Sequence, residues 1–137
     1  MHLKSSGILL FNNSSVLLQL RDNTPKIVFP NTWSFPGGGF EPHENSKQCI
    51  IREIKEECNY DLSVSKLYKM LSAKNFFNDK IYTIFVYIAE YNNRQKIECL
   101  EGQKMEFVEV HSIENIKNMS SLTKNIIFEG YKIYKVL

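Results

Sequence analysis

Apolar runs divide the chain into short strands on either side of one strongly patterned helix. Residues 3–11 and 16–21 predict two strands, joined by the polar turn Asn12-Asn13-Ser14-Ser15. Residues 22–32, punctuated by Pro25 and Pro30, predict a loop, and Trp33-Ser34-Phe35 a short strand stopped by Pro36 and the glycines Gly37, Gly38 and Gly39. Residues 62–77 and 80–91 are rich in Val, Ile, Tyr and Phe, with Asn78-Asp79 between them, and read as a hairpin. A polar loop over 91–101 leads to a strand over 104–110, a short helix over 112–118 and a longer helix over 121–134. Many strands, one central helix and a helical end predict a mixed sheet with helices packed on its faces, an α/β (α+β) architecture. Repeats and linker-like tracts are absent, and 137 residues fit a single domain spanning 1–137.

The central helix, residues 45–58, carries the candidate chemistry. Asn45 is placed to cap its start, with Gln48 completing a capping box. Asn59 stands where the chain would leave the helix through a left-handed residue. At helical spacing Ile50, Ile51, Ile54 and Cys58 share one broad face for burial against the sheet. Glu53, Glu56 and Glu57 gather on the adjoining face, flanked by Arg52. Like charges so spaced repel by a few tenths of a kcal/mol per pair, ~0.2–0.5. Either Lys55 and Arg52 neutralise a solvated acidic face, or a hard divalent cation such as Mg²⁺ occupies it, bound through carboxylate oxygens, water and substrate phosphates.

Composition narrows the setting. A net charge of +2 is too small to imply a nucleic-acid partner. No apolar run approaches the ~20 residues of a membrane span, and the first residues lack the separate apolar core and cleavage site of a signal peptide. Cys49 and Cys58 would lie ~13 Å apart along one helix, too far for a disulfide. Cys99 has no obvious partner, so free thiols in a reducing cytoplasm are expected. No Cys/His spacing matches a zinc site.

From Gly38 the chain reads Gly, five residues, Glu44, seven residues, then Arg52-Glu53-Ile54-Lys55-Glu56-Glu57-Cys58-Asn59-Tyr60. This resembles the Nudix box, G-x5-E-x7-R-E-U-x-E-E-x-G-U, where U is a bulky apolar residue. Asn59 replaces the second glycine, Tyr60 fills the last U position loosely, and His43 stands where glycine is common. A pattern this long with fixed spacing is far more specific than a lone GxG or ExxE. The resemblance covers residues 38–60 and implies the family's α/β/α sandwich, with a loop-helix-loop that holds Mg²⁺ or Mn²⁺ ions. It implies Glu53, Glu56 and Glu57 as metal ligands, with a backbone carbonyl of Gly37 or Gly38 nearby. Glu44 and Arg52 would orient those ligands, although Arg52 beside Glu53 also fits a plain ion pair. Glu101-Gly102-Gln103 looks like the loop that supplies a further ligand or general base in mutator-protein-like members. Glu101 is therefore the candidate there, with Glu98 behind it and a surface turn as the plain alternative.

The implied reaction is attack of water on a phosphorus of a nucleoside diphosphate linked to a group X. The subfamily marks for ADP-ribose, dinucleoside polyphosphate, coenzyme A and NADH substrates are missing or partial. A nucleoside triphosphate or a modified form of one comes first, and nucleoside diphosphate sugars second. Arg21, Phe35, Gly38 and Gly39 are the candidates for substrate contact: Arg21 for phosphate or base, Phe35 by stacking on a base. Surface charge for Arg21 and a core position for Phe35 are the plain alternatives. A nucleotide sensor without catalysis is the rival from another class, and many relatives pair as homodimers.

Overall fold

The structure, a computed structural model, describes residues 2–77 and 79–137. Asn78, placed in the hairpin turn, lies outside them. The strands are β1 (His2–Asn12), β2 (Ser15–Leu20), β3 (Trp33–Ser34), β4 (Gly37–Gly39), β5 (Tyr68–Phe77), β6 (Lys80–Glu90) and β7 (Lys104–Glu109). The helices are α1 (Ser46–Cys58), a 3-10 helix (Val110–Asn115) and α2 (Ser121–Tyr134). The strands run β3-β2-β1-β6-β5, with β4 added on β1 and β7 on β2. β1 and β6 are parallel, His2 facing Ile81 through to Phe11 facing Glu90. The β1–β2, β2–β7 and β5–β6 pairs are antiparallel, so the sheet is mixed as expected.

Both faces of the sheet are covered, which explains the unbroken apolar run of β1. Leu9 and Phe11 turn to one side, where Ile126 and Ile127 of α2 and Ile113 of the 3-10 helix complete a core. Ile8 and Leu10 turn to the other, against Ile50, Ile54 and Cys58 of α1. Among the described residues no helix is long and apolar enough to cross a membrane.

Four element expectations need correction. The glycine run does not simply stop a strand; it forms β4, paired with β1 through Gly7 and Gly37. A Cβ on Gly37 would stand 2.2 Å from the Ser6 carbonyl oxygen, so only glycine lets these backbones approach. The strand expected from 62 begins at Tyr68; Leu62 is fully buried beneath a connecting loop while Val64 is exposed. The short helix begins earlier than 112 and is 3-10, burying Val110 and Ile113 at the three-residue repeat of that helix. Ile51 is only half-buried, at the margin of the α1 core.

Candidate active site

Both ends of α1 are fixed by local chemistry. Asn45 Oδ1 accepts from the Gln48 amide at 2.8 Å, and Gln48 Oε1 accepts from the Asn45 amide at 2.9 Å, the expected reciprocal box. Asn59 leaves the helix at φ 58°, ψ 32°, donating its amide to Lys55 O at 3.0 Å. His43 is also left-handed, at φ 68°. Both departures from glycine in the box thus fall where the backbone turns left-handed, and Asn and His tolerate that region better than most side chains.

The glycine strand lies against this helix. The Cys49 thiol donates to Gly38 O at 3.4 Å, and Gly37 N–H donates to Glu57 Oε1 at 3.1 Å. A Cβ on Gly38 would lie 2.4–2.5 Å from the Glu53 carboxyl atoms, so that carboxylate fills the space beside the glycine. Glu57 is 2% exposed. It stands seven positions after Ile50, within the apolar stripe rather than beside it. Burial pushes its carboxyl from 4.5 up to about 8; the charges of Glu53 and Glu101 add to this, and the Gly37 N–H and Gln19 oppose it. Burial also raises Glu53, with Arg52 opposing.

Arg52 organises the remaining acids. Its guanidinium meets Glu44 in a bidentate pair, Nε to Oε2 at 2.7 Å and Nη2 to Oε1 at 2.9 Å. Nη1 donates to Glu53 at 2.9 Å and to Glu56 at 3.2 Å, and Nη2 to Gly39 O at 2.9 Å. Glu44 also accepts from Glu41 N–H at 2.9 Å, and the Arg52 side chain holds its carboxyl down at about 2. With Glu53 and Glu56 drawn to Arg52 and Glu57 turned to Gly37, no three such side chains among the described residues converge closely enough to hold a metal as they stand. The donor set nevertheless fits a hard divalent cation in chemistry. It is all carboxylate oxygen, and burial disfavours its inner member as an anion, a cost that a bound cation would offset.

The other expected residues fall differently. Glu101 is exposed, and its charge acts on both Glu53 and Glu57. Its carbonyl accepts from Gln19 Nε2 at 3.2 Å. Glu98 instead accepts from Asn59 Nδ2 at 2.7 Å, and its amide donates to Cys58 O, so it serves the end of α1. Phe35 is 7% exposed and packs in the α2-side core over Gly7, the core position that stood as the alternative to stacking on a base. Arg21 is partly buried and folds onto the 22–32 loop, Nε donating to Val28 O at 3.0 Å. Gly39 borders an open cleft of about 540 Å³ lined also by Lys4, Val28, Phe40 and Tyr82. Cys49 and Cys58 are buried and Cys99 exposed, all free.

Gly102 sits at φ +81°, with space for a Cβ only 2.7 Å from Leu20 O. Gly102→Ala is expected to be destabilised by about 1–2 kcal/mol from the left-handed backbone, with further loss as the loop shifts. Urea unfolding checks the stability, and faster amide exchange at Gln103, which donates to Leu20 O at 2.8 Å, checks the shift.

The family profile described as NUDIX domain matches residues 1–130. A nucleoside triphosphatase NudI from Enterobacter sp. (strain 638) is 32% identical over 56 residues, which is 41% of this chain and 40% of that protein. The match therefore spans well under two-thirds of that relative. A MutT protein from Methanosarcina mazei Go1 superposes with a TM-score of 0.80 at 18% identity, over 98% of this chain and 96% of that one. An Ap4A hydrolase from C. elegans superposes with a TM-score of 0.77 at 18% identity, over 98% of each chain. At those identities the likeness is one of fold. With the profile spanning nearly all of the sequence, the α/β/α arrangement and the box on α1 belong together: the chain is a member of the NUDIX domain family.

Proposed function

We propose that this protein hydrolyses a pyrophosphate bond in a nucleoside diphosphate linked to X, foremost a nucleoside triphosphate or a modified one, giving a nucleoside monophosphate and pyrophosphate. The observation that carries this is the buried Glu57 carboxylate between the glycine strand and the charges of Glu53 and Glu101. A buried acid facing like charges is expensive as pure structure and suits a site that receives a cation. The matched relative is a nucleoside triphosphatase, which supports the substrate class.

Glu53, Glu56, Glu57 and Glu101 would hold Mg²⁺ or Mn²⁺, with a carbonyl of Gly37 or Gly38 beside them. The ion, when bound, would neutralise phosphate charge and lower the pKa of the attacking water. Glu101, exposed and aligned electrostatically with Glu57, is the candidate to take the proton. Arg52 would set the directions of Glu53 and Glu56 through its hydrogen bonds to both. The 540 Å³ cleft at Gly39 would take the nucleoside, with apolar walls from Val28, Phe40 and Tyr82 in place of the buried Phe35. The proposed setting is the cytoplasm, with a small-molecule nucleotide as the partner.

A panel of nucleotides and nucleotide sugars with Mg²⁺, followed by product identification, tests it. Release of nucleoside monophosphate that stops on adding EDTA is expected. Nucleotide binding without turnover would mark a sensor instead.

A further inference from the structure

Val28 is 70% exposed and forms part of the wall of the cleft beside Gly39. Its carbonyl accepts from Arg21 Nε at 3.0 Å, so this wall hangs on the residue that follows β2. The neck of the 22–32 loop is closed by backbone alone. Arg21 N–H donates to Thr32 O at 2.9 Å, and Asn31 N–H donates to Asp22 O at 3.0 Å. Gln103 adds a clasp that this closure does not need. Its Nε2 carries two hydrogens and meets two acceptors, Arg21 O at 2.8 Å and Asn31 Oδ1 at 2.9 Å. Asn31 is left-handed at φ 56° and is held again through its carbonyl, which accepts from Asn118 Nδ2 at 2.8 Å. Gln103 lies two residues beyond Glu101, and its own N–H donates to Leu20 O at 2.8 Å. Among the described residues, the hydrogen bonds that join residues 21–32 to residues 99–103 both come from the Gln103 side chain. A continuous path therefore runs from Val28 through Arg21 to the segment carrying Glu101.

We propose that Gln103 is a positioning residue that couples filling of the cleft to the placement of Glu101, so that nucleoside binding is felt in turnover as well as in affinity. Energy from a remote part of a substrate raises kcat only where the protein brings it to bear on the reacting centre. A contiguous hydrogen-bonded network is one physical means of doing so. Gln103 touches no substrate and acts through Glu101. The proposal rests on the reading of the cleft as a nucleoside site and of Glu101 as the proton acceptor.

Gln103→Leu removes both donated bonds, and Gln103→Glu sets an acceptor against two acceptors. Asn31→Gly removes one bond while keeping the left-handed turn, and decides the matter if the Gln103 variants fail to fold. Asn31→Asp keeps the acceptor and should behave as wild type. Amide exchange at residue 103 is followed on the full chain with AMP, GMP, CMP and UMP added in turn, in EDTA so that no metal draws the phosphate onto Glu101. In the wild type at least one of them should slow that exchange roughly 10-fold. In the Gln103 variants and Asn31→Gly the slowing should be lost, while chemical shifts at Val28 and Tyr82 still report binding. On the Mg²⁺-nucleotide that the panel identifies, kcat should fall roughly 10-fold and by a larger factor than KM changes, the reverse of a simple loss of binding. No slowing in the wild type with any of the four, or slowing that survives in the folded variants, overturns the proposal. Slowing without hydrolysis of anything in the panel leaves the coupling standing and sinks the hydrolase assignment; hydrolysis without slowing does the reverse.

Discussion

Replacing Glu57 by glutamine is expected to remove most Mg²⁺-dependent turnover and, in EDTA, to make the protein more stable than wild type. The first effect follows from losing a charged donor at the site, worth roughly 10² to 10⁴ in rate. The second follows from burial. The Glu57 carboxyl rises from 4.5 to about 8 on folding, so between those values the folded chain binds more protons than the unfolded one. Wild-type stability without metal therefore falls as pH climbs from 4.5 toward 8, and near pH 7 most of the penalty is present. Glutamine keeps an oxygen for the Gly37 N–H and carries no charge, so it should recover about 1–3 kcal/mol. Melting curves of both proteins in EDTA at pH 5 and pH 8 measure this. The gap should open toward pH 8. A variant with near-wild-type turnover removes Glu57 from the chemistry, and a gap independent of pH removes the burial argument.

Arg52→Met should lose turnover too, but with the opposite effect on stability, which falls. The Arg52 side chain is 21% exposed and its Glu44 partner 11%, so this is largely a shielded network rather than a surface pair. Removing the cation leaves Glu44, Glu53 and Glu56 facing one another without compensation, a loss of about 2–4 kcal/mol. Glu44, held at about 2, contributes stability that is fully present above 4.5 and is lost as pH falls toward 2. That acid-side contribution should vanish in the variant. Added Mg²⁺ should raise the melting temperature of Arg52→Met by more than that of wild type, because Glu53 and Glu56 are then released from the guanidinium. Equal Mg²⁺ responses would show that these acids do not meet a cation.

Much of this was readable in the residues because it is set locally. The Asn45/Gln48 box and the left-handed Asn59 are decided within a few bonds of backbone, and both form as expected. The apolar run of β1 announced a strand, which the structure buries on both sides. The sequence reading fell short wherever distant segments decide. Glycine has poor strand propensity, yet Gly37–Gly39 is a strand because β1 passes too close for any side chain at Gly37. Phe35 in a short alternating segment fits a site or a core equally well, and Gly7 settled it by making room for the ring. Glu98 and Glu101 lie in one polar loop, and only Asn59 and Gln19 separate their roles. The burial of Glu57 could have been foreseen, since its spacing from Ile50 and Ile54 is that of the core stripe.

The parallel union of β1 with β6 has a consequence for how the chain reaches this state. Its partners lie roughly eighty residues apart, so the middle of the sheet closes a long loop before it gains any reward. During synthesis one edge of β1 waits unpaired until residue 90 has emerged from the ribosome, and Leu9 and Phe11 stay uncovered until α2 follows. Refolding should accordingly run far slower than for a helical bundle of the same length. Fragments ending before residue 80 should collapse without cooperative melting and clump through that uncovered ribbon.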